Sequence, residues 1–330
     1  MLNARLPWVR AFAFPLVAAC LVSGSGTAFA SSLIGTRNTS ITFEVDAKRT
    51  AYIVGLTESE ASKVTGSNFL SVIRPFDAEK AGPNDVNYCW AAANANMLAY
   101  TGWGSVGTLR TEYDIYSYYT TMFTNKGSDP YYGLQWFING TYPVHYTWTQ
   151  WAQLRYSGSG GFLRNANLRY GYVDISNRGA AGLNSALSYL QNDYAVAFTL
   201  GSFYNGQHLT GHVLTLWGVT YDSITGNILS ILVSDSDNNY GRGGANAPDT
   251  LDEIFLKYNA SGNYYSLLNY SFIGGYSDNR LLGFTYLSKM PSLPTIAYVP
   301  AIPAVPEPPI YLMFGFGIIS MALMRRKKVR

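Results

Sequence analysis

The stretch Asn87-Tyr88-Cys89-Trp90-Ala91-Ala92-Ala93-Asn94-Ala95-Asn96-Met97-Leu98-Ala99-Tyr100 decides how the rest of the chain is read. Trp90, Ala93, Met97 and Tyr100 recur at steps of three and four, the alanines favour helix, and Gly102 follows. The pattern predicts a helix over 88–100, with Asn84, Asp85 or Asn87 as candidate caps. Cys89 then sits in the first turn, where unpaired backbone amides and the positive end of the helix dipole favour a thiolate over a thiol. The sequence holds two cysteines, and the other, Cys20, lies near the N-terminus. With Cys20 falling in the secretory signal described below, Cys89 is the one cysteine left in the body, and it has two readings, a nucleophile or a small buried hydrophobe.

A nucleophilic thiol needs a base, and the candidates are few: His145, His208 and His212. His212 opens the apolar run Val213-Leu214-Thr215-Leu216-Trp217-Gly218-Val219, a turn is expected around Gly226 and Asn227, and 228–233 reads as the returning strand. Antiparallel pairing then brings His212 and Asp235 to the same end of one hairpin. Asp237, two residues on, is expected on the same side if the extended path continues. Asp235 is expected to bond His212 Nδ1, fixing the tautomer of the imidazole that takes the thiol proton. Each part has a plain alternative. His212 alone reads as a strand-end histidine, and Asp235-Ser236-Asp237-Asn238-Asn239 reads as a turn or a partial calcium loop, although position 246 holds Asn246 where a terminal glutamate belongs. His145 and His208 read as surface residues. Elsewhere a helix is predicted over 181–192 and a strand over 195–200, while 110–172, rich in Tyr, Trp, Gly and Asn, has too weak a periodicity for assignment.

The two ends carry targeting features. Arg5 and Arg10, the apolar run that follows and Ala28-Phe29-Ala30 make 1–30 a secretory signal; Val17-Ala18-Ala19-Cys20 offers lipidation of Cys20 as a lesser alternative. At the other end, 290–308 is a spacer with six prolines, followed by the uncharged stretch 310–324 and then Arg325, Arg326, Lys327, Lys328 and Arg330. As a helix those fifteen residues reach about 22 Å against a hydrocarbon core of about 30 Å, a marginal span whose basic end stays cytoplasmic. Val305-Pro306-Glu307-Pro308, the short apolar stretch and the basic end together resemble the PEP-CTERM sorting signal. That resemblance implies an exosortase-type processing partner, transient anchoring in the inner membrane and a final place at the cell surface or in exopolysaccharide. Seven of the 23 basic residues and none of the 20 acidic ones lie in 1–30 and 309–330, so the body at 31–289 with its spacer carries 16 basic and 20 acidic residues, a net charge of −4. Nucleic acid is excluded as an expected partner, since phosphate binding needs clustered cations.

The segment Asn87 to Leu98 closely resembles the nucleophile helix of the IdeS/Mac family of papain-like cysteine peptidases. Gly211-His212-Val213-Leu214-Thr215-Leu216-Trp217-Gly218-Val219-Thr220-Tyr221-Asp222, followed by Val233-Ser234-Asp235-Ser236-Asp237, is similar to that family's histidine strand, hairpin and aspartate pair. Weaker similarity, including Trp136-Phe137-Ile138-Asn139-Gly140, runs from about Arg74 to Leu287. The resemblance implies an α+β papain-like fold with the nucleophile helix packed on an antiparallel sheet. It implies catalysis by Cys89 as nucleophile, His212 as base and Asp235 as orienting carboxylate, with Asp237 as a second acid nearby. Arg74-Pro75-Phe76 resembles the family's Lys-Pro-Phe segment, whose lysine helps form the oxyanion hole; an arginine stands in its place, and Arg74 and Asn87 are the candidate oxyanion donors. The expected function is hydrolysis of a protein or peptide substrate with neither metal nor cofactor. The alternatives are an acyl transferase using the same triad, or a non-catalytic surface protein that binds polysaccharide or protein.

Overall fold

The computed structural model describes residues 37–80, 85–142, 151–156, 159–237, 251–270 and 278–291. The signal at 1–30, Cys20, His145, the proline-rich spacer beyond Pro291, the PEP motif, the 310–324 stretch and the basic tail lie outside them. No helix among the described residues is long and apolar enough to cross a membrane.

The architecture is mixed α+β, with one large antiparallel sheet and few helices. Among the described residues nine strands make up the sheet: β1 Thr39–Asp46, β2 Arg49–Leu56, β3 Tyr170–Asp174, β4 Tyr194–Tyr204, β5 Gln207–Asp222, β6 Ile228–Ser234, β7 Asp252–Asn259, β8 Tyr264–Leu267 and β9 Asp278–Ser288. The helices are α1 Glu58–Ala61, α2 Phe69–Val72, α3 Cys89–Thr101, α4 Glu112–Met122, α5 Pro130–Asn139 and α6 Gly179–Gln191. Every strand pairing is antiparallel. β5 pairs with β4 and β6, and the remaining pairings run β4–β9–β8–β7–β6, so six strands form a closed circuit with β1 and β2 extending it beyond β5. Each strand of the circuit is paired on both sides, while among the described residues β1, paired with β2 alone, and β3, paired with β9 alone, remain as edges.

β5 is longer than the sequence pattern suggests. It starts at Gln207, joined to β4 by the two-residue turn Asn205-Gly206, both with positive φ (50° and 77°), as the tightest hairpin turn requires. His212 therefore lies inside a strand, paired with Leu200 on β4, and does not open one. His208, exposed on the protruding part of this hairpin, has its ring 5.3 Å from that of Phe203.

Helix α3 is the core of the molecule. All thirteen of its residues are buried, because α4 and α5 cover one side and β4 and β5 the other. A helix buried all round has no single apolar stripe, and its small Ala and Asn side chains allow neighbours close on every side. Trp90 supplies the bulk, meeting the rings of Tyr119 and Phe123 edge-on at 5.6 and 5.2 Å. On α5, Gly133 is required by this packing: a Cβ there would stand 2.8 Å from the Trp90 ring and 2.2 Å from Asn94 Nδ2. Of the expected caps, Asn84 lies outside the described residues, and Asp85 and Asn87 are not used, since the N-cap is Tyr88 with no side-chain hydrogen bond; the Tyr88 carbonyl receives the Ala91 and Ala92 amides instead. Gly102, at φ 83°, ends the helix as expected. Helices α4 and α5 fall in the unassigned 110–172 region. Their start signals are local: the Thr111/Asp114 capping box, and Asp129 as N-cap with Pro130 in the first turn.

Candidate functional site

Three chain segments bring the predicted site together. Cys89 is the first residue of α3, His212 lies on β5, and Asp235 follows the last residue of β6. The register pairs Thr215 with Ser234, so His212 and Asp235 both lie beyond that pair at the same end of the β5–β6 ladder. The His212 Nε2 to Asp235 Oδ1 distance is 2.8 Å, with both residues buried. This corrects the expectation that Asp235 would hold Nδ1. With Nε2 held by Asp235, Nδ1 is the nitrogen left for the thiol, and a hydrogen bond links His212 to Cys89.

Asp237 does reach the imidazole, but by another route than strand alternation. The chain turns after Asp235, the Asp237 amide donates to Asp235 Oδ1 at 2.9 Å, and the Asp237 carboxylate arrives 3.7 Å from Nδ1 on the opposite side of the ring. It is ion-paired with Lys80, whose ammonium is buried and also donates to the Val86 carbonyl.

These charges set the titration of the site. Burial pushes the Cys89 thiol up, yet the charge and hydrogen bond of His212, helped by the charge of Lys80, hold it below an ordinary cysteine. Burial pushes His212 down, but the Asp235 carboxylate and the Cys89 sulfur outweigh it and raise the imidazole to about 10. Burial would raise Asp235, which is instead kept low by the charge and hydrogen bond of His212, with a further bond from Tyr270. The arrangement favours a thiolate beside an imidazolium.

The candidate oxyanion donors point elsewhere. Arg74 Nη1 donates to the Ile73 carbonyl, and the Asn87 amide is exposed and donates to the Asn125 carbonyl. Lys80, nine residues before Cys89, is the cation facing the thiol. A lysine between Arg74 and Cys89 was the signal in the sequence, obscured by the more familiar look of Arg-Pro-Phe. Tyr270, whose hydroxyl donates to Asp235 Oδ2 at 2.7 Å, had no signal at all, being one of 27 tyrosines.

A buried polar cluster fixes the three segments to one another. Asn96, two turns along α3 from Cys89, accepts from the Ala78 amide at 2.8 Å and donates to Thr215 Oγ1 and Ser234 Oγ at 3.1 and 3.3 Å. Ser234 Oγ in turn accepts from Trp217 Nε1 and donates to the Phe76 carbonyl. One side chain thus ties the nucleophile helix, the Lys80 segment, the histidine strand and the aspartate strand. Asn96→Ala is expected to destabilise the fold by about 3 kcal/mol, since it orphans several buried groups. Thermal unfolding should then occur roughly 6–12 °C lower.

His212, Asp235 and Asp237 offer donor atoms within 4.8 Å of one another, a spacing a metal ion tolerates. The electrostatics do not fit one. The Lys80 ammonium already neutralises Asp237, and Asp235 accepts from His212, Tyr270 and the Asp237 amide, so a cation would have to break this set and meet a fixed positive charge. The partial calcium loop also continues into residues 238–246, outside the described residues.

The fold and these side chains define a buried thiol, imidazole and carboxylate in series on a mixed α+β scaffold. No protein-family model matches the chain, and no curated protein sequence matches it.

Proposed function

We propose that this chain is a cysteine peptidase of the papain-like kind, related to the IdeS/Mac family. The observation that carries the reading is the continuous hydrogen-bonded series Cys89, His212, Asp235, in which the thiol is lowered and the imidazole raised. The Cys89 thiolate attacks the carbonyl carbon of a peptide bond. The oxyanion forms beside the Cys89 amide at the start of α3 and the Lys80 ammonium. The carbon–nitrogen bond then breaks, His212 gives its proton to the departing amine, and a thioester remains on Cys89. Water, deprotonated by His212, attacks the thioester, releases the carboxylic acid and restores the Cys89 thiolate beside the protonated His212. Asp235 keeps the Nε2–H of His212 directed throughout.

The pH dependence tests the ion pair. The reactive form has Cys89 deprotonated and His212 protonated, so activity should rise as Cys89 ionises, at a pH below the ordinary thiol value of about 8.5. It should fall again as His212 loses its proton near 10. A rate that climbs through pH 8.5 with no alkaline fall would speak for an isolated thiol and against the triad.

The terminal segments support export and surface association of the peptidase after exosortase-type processing. Mass spectrometry of surface material should find a chain starting near Ser31 and lacking the Arg325 to Arg330 tail. An intact tail would contradict that route.

A further inference from the structure

Asp235 has three donors in the described structure, and one of them belongs to none of the segments that build the triad. Its Oδ1 receives His212 Nε2–H and the Asp237 amide at 2.8 and 2.9 Å, while Oδ2 receives the Tyr270 hydroxyl at 2.7 Å. The Tyr270 ring lies nearly parallel to the imidazole, 22° from it with centroids 6.3 Å apart, so the phenol flanks the His212–Asp235 pair. Tyr270 is itself anchored, its carbonyl accepting from Asn279 Nδ2 at 2.8 Å on the closing strand β9. A carboxylate with its second oxygen held in this way cannot rotate away from the imidazole without breaking a charge-assisted hydrogen bond.

We propose that Tyr270 is a positioning residue of the site, holding Asp235 in the orientation that keeps His212 protonated beside the Cys89 thiolate. The proposal deepens the peptidase reading and rests on the same triad, but it makes a separate claim about charge and geometry. Two effects of the hydroxyl oppose each other. It draws part of the carboxylate charge away from His212, and it fixes the distance over which the remaining charge acts. Polarisation along a hydrogen-bonded chain changes each bond by about 10–30%. Without the anchor at Oδ2 the carboxylate can pivot about its two bonds at Oδ1, which weakens the His212 contact by more than that polarisation, so geometry wins. Without the hydroxyl, the imidazolium loses part of its stabilisation and the thiolate loses part of its partner.

Among the described residues, groups that act electrostatically with Cys89 or His212 include Lys80 before α3, Tyr116 on α4, Asp235 and Asp237 after β6, and Tyr270 after β8. Lys80, Asp237 and Tyr116 act on the thiol without passing through Asp235, so a variant at Tyr270 leaves their contributions in place.

The test measures the rate of Cys89 alkylation by iodoacetamide against pH, alongside thermal unfolding, for the wild type, Tyr270→Phe, Asp235→Asn and the double variant. Alkylation needs no substrate, so it stands even if the wild type cleaves no peptide, and failure of the peptidase reading is seen separately. Tyr270→Phe should move the midpoint of thiol ionisation upward by about one pH unit, slowing alkylation up to roughly tenfold at pH values below both midpoints, with little change above them, where the thiolate is formed in both proteins. In the Asp235→Asn background the same substitution should cause no further shift, because the route through the carboxylate is already gone. A midpoint in Tyr270→Phe equal to or below that of the wild type overturns the proposal, whatever happens to the melting temperature. So does an undiminished upward shift in the double variant, which would place the effect of Tyr270 outside Asp235.

Discussion

Cys89→Ser should abolish peptide cleavage while leaving the fold intact, with kcat down by about 10⁶-fold, the scale seen when a nucleophile is removed from a catalytic triad. The substitution is nearly isosteric at a buried position, and serine is tolerated at a helix start, so little change in stability is expected. The loss is chemical. His212 and Lys80 stabilise an anion on sulfur, whose ionisation lies within reach of neutral pH; a hydroxyl does not ionise there, and the imidazole is already protonated in the resting pair. Iodoacetamide should inactivate the wild type in parallel, since Cys89 is the free cysteine of the described structure. Near-normal turnover by the serine variant, in a protein shown to be folded, would sink the mechanism.

The second large effect separates the two aspartates. Asp235→Asn replaces a carboxylate bonded to His212 Nε2 with an amide that neither stabilises the imidazolium nor fixes its tautomer. In a serine-protease triad the corresponding change lowers kcat by about 10⁴. A cysteine enzyme starts from a preformed ion pair, so a loss of roughly 10²–10⁴ in kcat is expected, with little change in KM. Asp237→Asn should cost less. It removes a more distant carboxylate, 3.7 Å from Nδ1, and leaves the Lys80 ammonium with the Val86 carbonyl but no counter-charge, which raises the positive potential at the thiol. Kinetics of the two purified variants decide the matter: an unchanged kcat in Asp235→Asn with an inactive Asp237→Asn would mean that the other carboxylate carries the orienting role.

The parts of the molecule that were legible in the sequence are those where local pattern and global fold agree. The helix at Gly179–Gln191 carries a repeat that matches its buried face, the β5–β6 hairpin carries apolar runs that match its buried stretches, and the helix at Cys89, buried on every side, is marked by its alanines and the glycine that ends it. The juxtaposition of His212 and Asp235 follows from hairpin pairing alone, which is why it was accessible without any tertiary information. Other features depend on long-range contact. Helices α4 and α5 present mixed aromatic and polar sequences because their rings fill space around Trp90 and Trp136, so their periodicity is blurred and only their caps mark them. The early start of β5 was announced by Asn205-Gly206, but its outer residues are exposed on both faces, so no apolar alternation led to it. Lys80 and Tyr270 reach the site from separate segments, and nothing in their local sequence marks a lysine or tyrosine that will face a thiol or a carboxylate. The assignment of Asp235 to the wrong imidazole nitrogen has the same origin: ring orientation is set by where α3 places the sulfur, which hairpin geometry does not contain.

The account turns on whether Cys89 is an activated nucleophile in the folded protein, and active-site labelling addresses this most directly. The wild type and His212→Ala are treated at neutral pH with a peptidyl probe bearing a thiol-reactive electrophile, before and after denaturation, and the adduct is mapped by mass spectrometry. The triad predicts rapid labelling of native wild-type protein at Cys89, with labelling slowed by orders of magnitude in His212→Ala and in denatured protein, where the thiol loses its imidazolium partner. Absence of an adduct on native Cys89, or equal labelling rates in all three samples, would contradict it.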